Sequence, residues 1–409
     1  MAEAVSVDDH LGRILDHVRP LPSYAHSILD AIGRPTASKV VARRALPAFD
    51  NSSMDGYAVR ADDVAAASAG TPVTLPVVAD IHAGDGAARM LKPGTAMRIM
   101  TGAPVPSGAD AVVPVEATDA GAVKVQITAP ARVGAFIRRA GEDVQPGETV
   151  LPAGTVLGPR HVGLLAGLGI DRIDIVPRPR VVVMSTGAEL VEPGRQLGPG
   201  AIHDSNSFLL TAAARATGAI AYRVPVDDDD PQRFLDALDG QLGRADLVVT
   251  TGGVSKGTRD VVKEALRTKP DMWFGEVAMQ PGKPQGFGLI GEDRIPLFAL
   301  PGNPVSSYVS FEVFVAPALR RLVGRTPELR PLFRAELGED VRSLPGKRQF
   351  LRGDVTLGPG GAKVVPVGGP GSHLLGGLGA ANALIVLDES VASVEAGTSV
   401  PVMLLDRDY

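Results

Sequence analysis

The segment that decides the fold contains RVVVMSTGAEL (180–190) and DLVVTTGGVSKGTRD (246–260). In each stretch a run of mostly β-branched residues leads directly into a turn that contains glycine. The runs lack polar alternation, which is typical of parallel strands whose two faces are both covered. In open α/β sheets, ligands bind beyond the carboxyl ends of the strands. These stretches therefore predict a parallel sheet with a ligand site at its glycine-containing turns.

The alternation of strand and helix continues around these stretches, so residues 179–326 are predicted to form one α/β domain. Strands are predicted at Arg180–Ser185, Ile220–Val226, Asp246–Thr250, Met272–Met279 and Pro296–Leu300, and helices at Ser205–Thr217, Pro231–Leu242, Arg259–Thr268 and Pro304–Val323.

The remaining segments predict three further parts of a multidomain α+β protein. Residues 1–48 with 142–178 are predicted to be helical or mixed, with helices at Val5–Val18, Ala25–Ile32 and Arg160–Leu168. Residues 49–141 are predicted to be an inserted β domain, because Val73–Ile81, Ala96–Met100, Ala111–Val115 and Ala122–Ile127 are short β-like runs. Residues 327–409 are predicted to form a small β-barrel, with a sandwich as the alternative.

The amino-acid composition excludes several kinds of functional site. The 409 residues carry a net charge of −5 and no cysteine. A negative net charge gives no reason to expect binding to nucleic acid. The absence of cysteine excludes disulfides, thiolate nucleophiles and cysteine-bound metals. The seven histidines contain no H-x-x-x-H pair, so a metal is predicted to be a hard cation on oxygen ligands. The acidic N-terminus does not resemble a signal peptide, and no apolar run reaches the roughly 20 residues that span a bilayer, so we expect a cytoplasmic protein without membrane contact.

Two acidic segments follow predicted strands. Glu189 comes after the turn at Gly187 and could bind a cation, although a solvated carboxylate explains it equally well. Asp227–Asp230 precede a helix, and Asp230 before Pro231 is a good N-cap. Four adjacent carboxylates exceed what capping needs, so Asp228 is left open between a metal-linked and a solvated role.

The glycine-rich loop of 250–260 predicts an anion site. Consecutive N–H groups around Gly252, Gly253 and Ser255 can form a nest at a helix start. Asp260 could hold Mg²⁺ that bridges to phosphate oxygens. The spacing is not that of a Walker A loop, and a plain strand–helix turn is the alternative.

The segments QPGKP (280–284) and PGNPVS (301–306) predict a site for a small oxyanion. Lys283 lies between two prolines, which restrict the backbone. Asn303 and Pro304 are a good N-cap and first residue of a helix whose free N–H groups, with Ser306, would face the strand ends. A capped helix explains Asn303 and Pro304 but not Lys283.

Seven motifs occur in one order along about residues 45–375: NSSMDGYAVR (51–60), IMTGAPVP (99–106), RRAGED (138–143), STGAEL (185–190), TTGGVSKGTRD (250–260), MQPGKPQG (279–286) and ALPGNPVSS (299–307). From physics alone the first three are only loops. Together the seven resemble the MoeA family of molybdopterin molybdenumtransferases, which is related to the E domain of gephyrin. The resemblance implies a molybdopterin-binding-like three-layer α/β domain within a four-domain subunit, and a homodimer whose dimerisation domain is 1–48 with 142–178.

The resemblance also implies a reaction and its residues. The substrates are adenylylated molybdopterin (molybdopterin-AMP) and molybdate, the cofactor is Mg²⁺, and AMP is released. The implied catalytic residues are Asp55, Thr101, Asp143, Glu189, Asp228, Asp260 and Lys283, of which Glu189, Asp228 and Asp260 would hold the metal. The implied substrate-binding residues are Pro284, Ser306, Arg348 and Ser372, and the loop and helix-start patterns described above add Gly252, Gly253, Ser255 and Asn303. The sequence departs from the family at Gln280, where many relatives have lysine, and at Ala188, where they often have aspartate.

Two other functions stay open at this point. One is the preceding step, adenylylation of molybdopterin, because that adenylyltransferase family shares the α/β domain and a TTGG loop. The other is a non-catalytic scaffold that binds partner peptides, as gephyrin does. A transient contact with the pathway's adenylyltransferase is expected for the enzyme.

Overall fold

The computed structural model describes residues 4–226, 230–253 and 260–406. These residues divide into two compact units. One contains residues 25–153 and 157–173, and the other contains 4–24, 154–156 and the described residues from 174 to 406. The finer division into four domains at residues 48, 141, 178 and 326 stays a prediction.

Up to residue 175, most of the regular secondary-structure elements are short strands. The helices are α1 (Val7–His17) and α2 (Pro159–Gly167), two 3-10 turns are Ala61–Val64 and Val115–Ala117, and the strands are β1 (Tyr24–Ser27), β2 (Val40–Val41), β3 (Asn51–Ser52), β4 (Gly56–Val59), β5 (Val73–Ile81), β6 (Ala96–Ile99), β7 (Ala111–Pro114), β8 (Lys124–Ile127), β9 (Ile137–Arg138), β10 (Thr149–Leu151) and β11 (Arg172–Ile175).

The predicted β segment is a five-stranded sheet in the order β7-β4-β6-β5-β8. Four of these strands agree with the prediction, whereas β4 lies in the motif NSSMDGYAVR, for which the polar, turn-forming sequence predicts only a loop. A Cβ at Gly56 would lie 2.0 Å from the carbonyl oxygen of Val113 on β7, so only glycine lets the two backbones approach this closely. Tyr57 is fully buried beside it.

The predicted helix at Ala25–Ile32 is wrong. This segment instead contains β1 and a turn, and Ile28 N donates to the carbonyl of Asp171 at 3.0 Å. Only ten residues separate Pro22 from Gly33, which has a left-handed φ of +78°. A helix this short is marginal without strong packing, so pairing with a distant segment prevails.

The α/β region begins at β12 (Arg180–Thr186). Its other strands are β13 (Leu190–Val191), β14 (Ile202–His203), β15 (Ile220–Val226), β16 (Leu247–Thr251), β17 (Trp273–Glu276), β18 (Met279–Gln280), β19 (Pro284–Ile290) and β20 (Ile295–Leu300), and its helices are α3 (Asn206–Ala216), α4 (Pro231–Leu242), α5 (Val261–Leu266), α6 (Pro304–Ser310) and α7 (Ala316–Leu322), the last two joined by a π-helix at Phe311–Val315.

Its main sheet has the order β15-β12-β16-β20-β19-β17. Val181 and Val183 of β12 pack into a core with α1, α3, α6 and α7, whereas Val182 and Met184 pack into a second core with α4 and α5. Apolar cores on both faces explain why the strand lacks polar alternation. The predicted three-layer α/β architecture is therefore confirmed.

Neighbouring strands are parallel only over β15, β12, β16 and β20, because β19 pairs antiparallel with both β20 and β17. Strand β19 was not predicted, because Pro284, Gly286 and Gly288 are typical of turns. In the structure, Gly286 lies against the ring of Phe274, where a Cβ would be 2.6 Å from the ring. Gly286 thus makes room for an aromatic side chain of β17.

The C-terminal region is a closed barrel, as predicted. It contains β21 (Phe333–Leu337), β22 (Val341–Arg342), β23 (Arg348–Gly358), β24 (Gly361–Pro366), α8 (Leu375–Ala380), β25 (Ala383–Leu387), β26 (Ser393–Val394) and β27 (Ser399–Leu404). The order β23-β24-β21-β27-β25 closes because β25 also pairs with β23. No helix in the part of the chain that the structure describes is both long and apolar enough to cross a membrane.

Candidate active site

The carboxyl ends of four parallel strands bring the predicted α/β site segments to one edge of the sheet. Ser185 of β12 is in register with Thr251 of β16, and Thr251 with Leu300 of β20. Strand β19 runs the other way, so its first residue, Pro284, lies at the same edge. We call this region, formed by the ends of β15, β12, β16 and β20 and the start of β19, the carboxyl edge.

A cleft of about 380 Å³ opens at the carboxyl edge. It is lined by Gln280, Pro281, Gly282, Lys283, Pro284, Pro301, Gly302, Asn303, Ser306 and Ser372. Five of these were predicted as site residues from segments far apart in the chain: Lys283, Pro284, Asn303, Ser306 and Ser372. The cleft combines a cation, an amide and two hydroxyl groups, which are the donors that an oxyanion requires.

Lys283 is the cation of this cleft. Its Nζ lies 2.8 Å from Oε2 of Glu276, and its side chain is 39% exposed. Its backbone carbonyl accepts a hydrogen bond from Val277 N at 2.7 Å. The backbone is therefore fixed on both sides, by this bond and by the adjacent proline, while the ammonium group stays accessible to a ligand.

Asn303 has the extended backbone of an N-cap before α6, as predicted, but its side chain has another partner. Its Nδ2 donates to Oγ of Ser372 at 2.9 Å, and Val305 N donates to the carbonyl of Ser372 at 3.0 Å. These two bonds fasten the loop after β24 onto the start of α6. Ser306, only 5% exposed, lies on the first turn of the same helix.

The two arginines of β23 have different surroundings. Arg348, predicted to contact the oxyanion, donates to both carboxylate oxygens of Asp8 at 2.7 and 2.8 Å and lies 3.1 Å from Glu389. These acids raise the pKa of Arg348, and the residue does not line the cleft described above. Arg348 thus lies outside the lining of the cleft that contains Lys283, and its role stays a prediction.

Arg352, four residues further along β23, was missed. It is 5% exposed and donates to the carbonyls of Leu374, at 2.8 Å, and of Gly369. It therefore holds the loop that carries Ser372, and burial lowers its pKa. It also lines a second cleft of about 290 Å³, which shares Gln280 and Pro281 with the first. Its position on the same strand face as Arg348 was the signal that could have identified it.

The turn after β16 requires its glycines. Gly252 and Gly253 have left-handed φ angles of +91° and +67°. A Cβ at Gly253 would lie 3.0 Å from Val262 N, and one at Gly252 would lie 3.3 Å from the carbonyl oxygen of Thr186. Glycine therefore allows both the turn and its close packing. Ser255 and Asp228 lie outside the described residues.

Two predicted metal ligands are placed by adjacent strands. Glu189 is exposed in the turn after β12, and Asp260 is half-buried immediately before α5. Both are hard oxygen donors, which suits Mg²⁺. Within residues 4–226, 230–253 and 260–406, no three histidine, aspartate or glutamate side chains form a ready metal-binding group. A cation at this edge would therefore need oxygen ligands beyond the described side chains.

The other compact unit contains Asp55, Thr101 and Asp143. Thr101 donates from both N and Oγ1 to Oδ1 of Asp55, at 2.7 and 2.9 Å. These donors hold the pKa of Asp55 below its usual value. Asp143 is exposed, and its N donates to the carbonyl of Leu46. Asp55 and Thr101 thus form one pair, and the participation of all three in the site stays a prediction.

Asp204 and Asn206 at the start of α3 were also missed. Asp204 is 4% exposed and accepts from Ser185 Oγ at 2.7 Å, and Asn206 donates to the carbonyl of Gly302 at 2.6 Å. The sequence HDSN before an apolar helix was the available signal, but it resembles ordinary capping.

Comparison with known proteins covers nearly the whole chain. Residues 5–169 match the model of the MoeA N-terminal region (domain I and II), residues 182–321 match that of a probable molybdopterin binding domain, and residues 334–405 match that of the MoeA C-terminal region (domain IV).

Individual relatives agree with these matches. Molybdopterin molybdenumtransferase 2 of Mycobacterium tuberculosis is 45% identical over 97% of this chain and 98% of its own. Molybdopterin molybdenumtransferase 1 of the same organism is 39% identical over 98% and 99%. The crystal structure of a molybdopterin biosynthesis MoeA protein from Pyrococcus horikosii superposes with a TM-score of 0.86 at 30% identity, over 98% of this chain and 99% of that one. The chain therefore belongs to the MoeA family.

Proposed function

We propose that this chain is a molybdopterin molybdenumtransferase, which inserts molybdenum from molybdate into adenylylated molybdopterin and releases AMP. The observation that carries the proposal is the cleft in which Lys283, Asn303, Ser306 and Ser372 converge. Two full-length relatives at 45% and 39% identity have this activity as their name.

The cleft suits a tetrahedral dianion. Lys283 supplies a positive charge, and Ser306 and Ser372 supply hydroxyl donors around it. A hydrogen bond in which the donor or the acceptor is ionised is about twice as strong as one between two neutral groups. The cleft volume of about 380 Å³ falls within the range of about 300–1,000 Å³ that is typical of small-molecule sites. This leaves room for part of the organic substrate beside the anion.

We place the phosphate groups of the substrate at the neighbouring turns. The turn at Gly252–Gly253 brings backbone to the carboxyl edge, and Glu189 and Asp260 are the described carboxylates that would hold Mg²⁺, with Asp228 as a third. When bound, the ion would neutralise negative charge on the phosphoanhydride. The protein would otherwise act by holding the anion and the adenylate in register, and no covalent nucleophile is required.

Three further parts of the proposal extend beyond the α/β unit. We propose that Asp55, Thr101 and Asp143 contribute to the site in a homodimer, that the protein acts in the cytoplasm, and that it transiently contacts the adenylyltransferase of the pathway to receive its substrate. The relatives' names favour molybdenum insertion over adenylylation and over a scaffold.

The proposal is tested by incubating the protein with adenylylated molybdopterin, Mg²⁺ and molybdate. We expect AMP release that depends on molybdate, together with a product that restores activity to a molybdoenzyme lacking its cofactor. Formation of adenylate from ATP and metal-free molybdopterin, without molybdenum insertion, would instead identify an adenylyltransferase.

A further inference from the structure

Asn206, the first residue of α3, connects two turns of the carboxyl edge through one amide group. Its Nδ2 donates to Oγ1 of Thr251 at 3.0 Å and to the carbonyl of Gly302 at 2.6 Å. Thr251 ends β16 immediately before the turn at Gly252–Gly253. Gly302 belongs to the turn after β20, immediately before Asn303. The two N–H groups of one side chain thus join the turn on the proposed phosphate side to the turn on the proposed molybdate side.

The two turns are in direct contact, and the contact is buried. A Cβ at Gly302 would lie 3.5 Å from Cα of Gly252, which is van der Waals contact. Thr251 Oγ1 lies 3.0 Å from Oγ of Ser307, and the latter donates to the carbonyl of Pro301. Thr251 and Ser307 are almost completely buried. A change in the position of one turn is therefore transmitted to the other.

Asn206 is itself held by a buried acidic group. Asp204 accepts from Oγ of Ser185 at 2.7 Å, and from N and Oγ of Ser207 at 3.0 and 2.5 Å. Arg223 donates to Ser207 Oγ at 2.8 Å and lies 3.6 Å from Asp204. A buried carboxylate needs such partners, so this group fixes the start of α3 on the end of β12. The amide of Asn206 consequently has a defined position.

The third polar atom of the same side chain is its carbonyl oxygen. Oδ1 of Asn206 is buried and has no hydrogen-bond partner among the described residues. Among the described residues, this amide is thus bonded only through its two N–H groups, and both bonds lead to turns of the carboxyl edge.

We propose that Asn206 is a positioning residue for molybdenum insertion: it sets the separation between the turns at 252–253 and 301–303, and so aligns molybdate with the adenylylated substrate. This inference rests on the proposed function. Asn206 does not line the molybdate cleft, so its loss should disturb alignment more than binding. Because a misplacement of about 1 Å can slow a reaction about 100-fold, the expected effect lies mainly in kcat.

The test compares Asn206→Ala with a matched asparagine in the barrel. Asn382 also donates twice, to Asp354 Oδ1 and the carbonyl of Val355, but its Oδ1 accepts from Val355 N. Steady-state AMP release gives kcat and the KM for molybdate, and thermal unfolding gives Tm. We expect Asn206→Ala to lower kcat about 10- to 100-fold with KM changed less than about threefold. Asn382→Ala should lower Tm at least as much but leave kcat within about twofold of wild type.

A second pair covers the case in which Asn206→Ala fails to fold. Thr251→Val removes the hydroxyl that accepts from Asn206, whereas Thr251→Ser keeps it. We expect Thr251→Val to lower kcat and Thr251→Ser to restore most of it. Where the single variants fold, combining Asn206→Ala with Thr251→Val should cost less than the product of the two separate losses.

The outcomes separate this inference from the function on which it rests. If wild type releases no AMP, the proposed function and the inference both fall. If wild type is active and Asn206→Ala, or Thr251→Val in its place, has wild-type kcat, the inference alone falls. A loss in kcat that Asn382→Ala reproduces at equal loss of Tm would also overturn it.

Discussion

The two ends of strands β12 and β16 use polar side chains in opposite ways. At the amino ends, Asp246 accepts from Arg180 N and Nε at 2.7 and 3.1 Å through one oxygen, and from the guanidinium at 2.8 Å through the other. This partner raises the pKa of Arg180. At the carboxyl ends, the strands lead into glycine turns followed by Glu189 and Asp260. The first set of polar groups is paired within the protein, and the second lies at the glycine turns where we propose that the phosphate groups of the substrate bind.

The comparison indicates that the amino ends of these strands serve stability and that the proposed site lies at their carboxyl ends. Between the two ends, Val181–Met184 are completely buried and provide a rigid support. Polar groups that pair with each other stabilise the amino ends. At the carboxyl edge, a lysine and two serine hydroxyl groups line the cleft, and Oδ1 of Asn206 has no hydrogen-bond partner among residues 4–226, 230–253 and 260–406. Substitutions at the carboxyl edge should therefore change activity more than stability, and substitutions at the amino ends should do the reverse.

The largest effect is expected for Asp260→Ala. Loss of this proposed metal ligand should slow AMP release about 100- to 1,000-fold, because a bound cation contributes several kcal/mol of charge stabilisation. Asp236→Ala, which changes an exposed aspartate on α4, is the control and should keep wild-type AMP release. Equal AMP release by the two variants would remove Asp260 from the site.

Lys283→Ala comes next. We expect the KM for molybdate to rise about 10- to 100-fold, because a hydrogen bond to a charged group contributes about 1.5–3 kcal/mol. The matched control is Lys363→Ala on β24, because Lys363 also pairs with one glutamate, Glu336, at 3.2 Å. Calorimetric titration with molybdate checks both variants. Unchanged molybdate affinity in Lys283→Ala would mean that the cleft binds another ligand.

Asp246→Ala tests the amino ends of the strands. It removes the acceptor of three donors from Arg180, so the free energy of unfolding should fall by about 1–3 kcal/mol. Urea unfolding measures this loss, and AMP release should keep its wild-type KM for molybdate. A raised KM with unchanged stability would reverse the contrast between the two ends.

Arg348→Ala is expected to have the smallest effect. Its hydrogen bonds with Asp8 lower the pKa of Asp8 from the ordinary 3.8. The stabilisation is therefore complete above about pH 4 and is lost as the pH falls through the lowered pKa of the folded state. Because Asp8 is largely exposed, the loss at neutral pH should be at most about 1 kcal/mol.

Urea unfolding at pH 7 and below pH 3 checks the Arg348 prediction: the difference between wild type and variant should be smaller at the lower pH. The KM for molybdate should stay within threefold of wild type. A rise in KM similar to that of Lys283→Ala would restore the oxyanion contact that the family resemblance implies for Arg348.

The sequence predicted those strands whose residues form an unbroken apolar, β-branched run. The runs at 180–186 and 247–251 are apolar and β-branched, and the turns after them contain glycine, so strand, turn and site edge follow from short segments. Strands β4 and β19 were missed because their glycines are explained only by distant neighbours, Val113 and Phe274. In both cases the sequence shows a flexible residue, and the reason for it lies elsewhere in the chain.

The residues of the candidate site were likewise predicted where a local pattern or the family resemblance indicates them, and missed where distant segments determine the contact. Lys283, Asn303 and Ser306 were identified from prolines, capping residues and the family resemblance. The bond from Asn303 to Ser372 spans 69 residues and that from Asn206 to Gly302 spans 96, so no local pattern indicates either. The choice of Arg348 over Arg352 could not be made from the sequence, because both lie on one strand and only their neighbours distinguish them.

We propose that molybdate binds in the cleft at the carboxyl edge, and crystals soaked with molybdate and measured at the molybdenum absorption edge would show whether it does. We expect an anomalous peak between Lys283, Ser306 and Ser372, with anion oxygens about 2.7–3.2 Å from their donor atoms. A peak at another part of the chain, with this cleft empty, would contradict it.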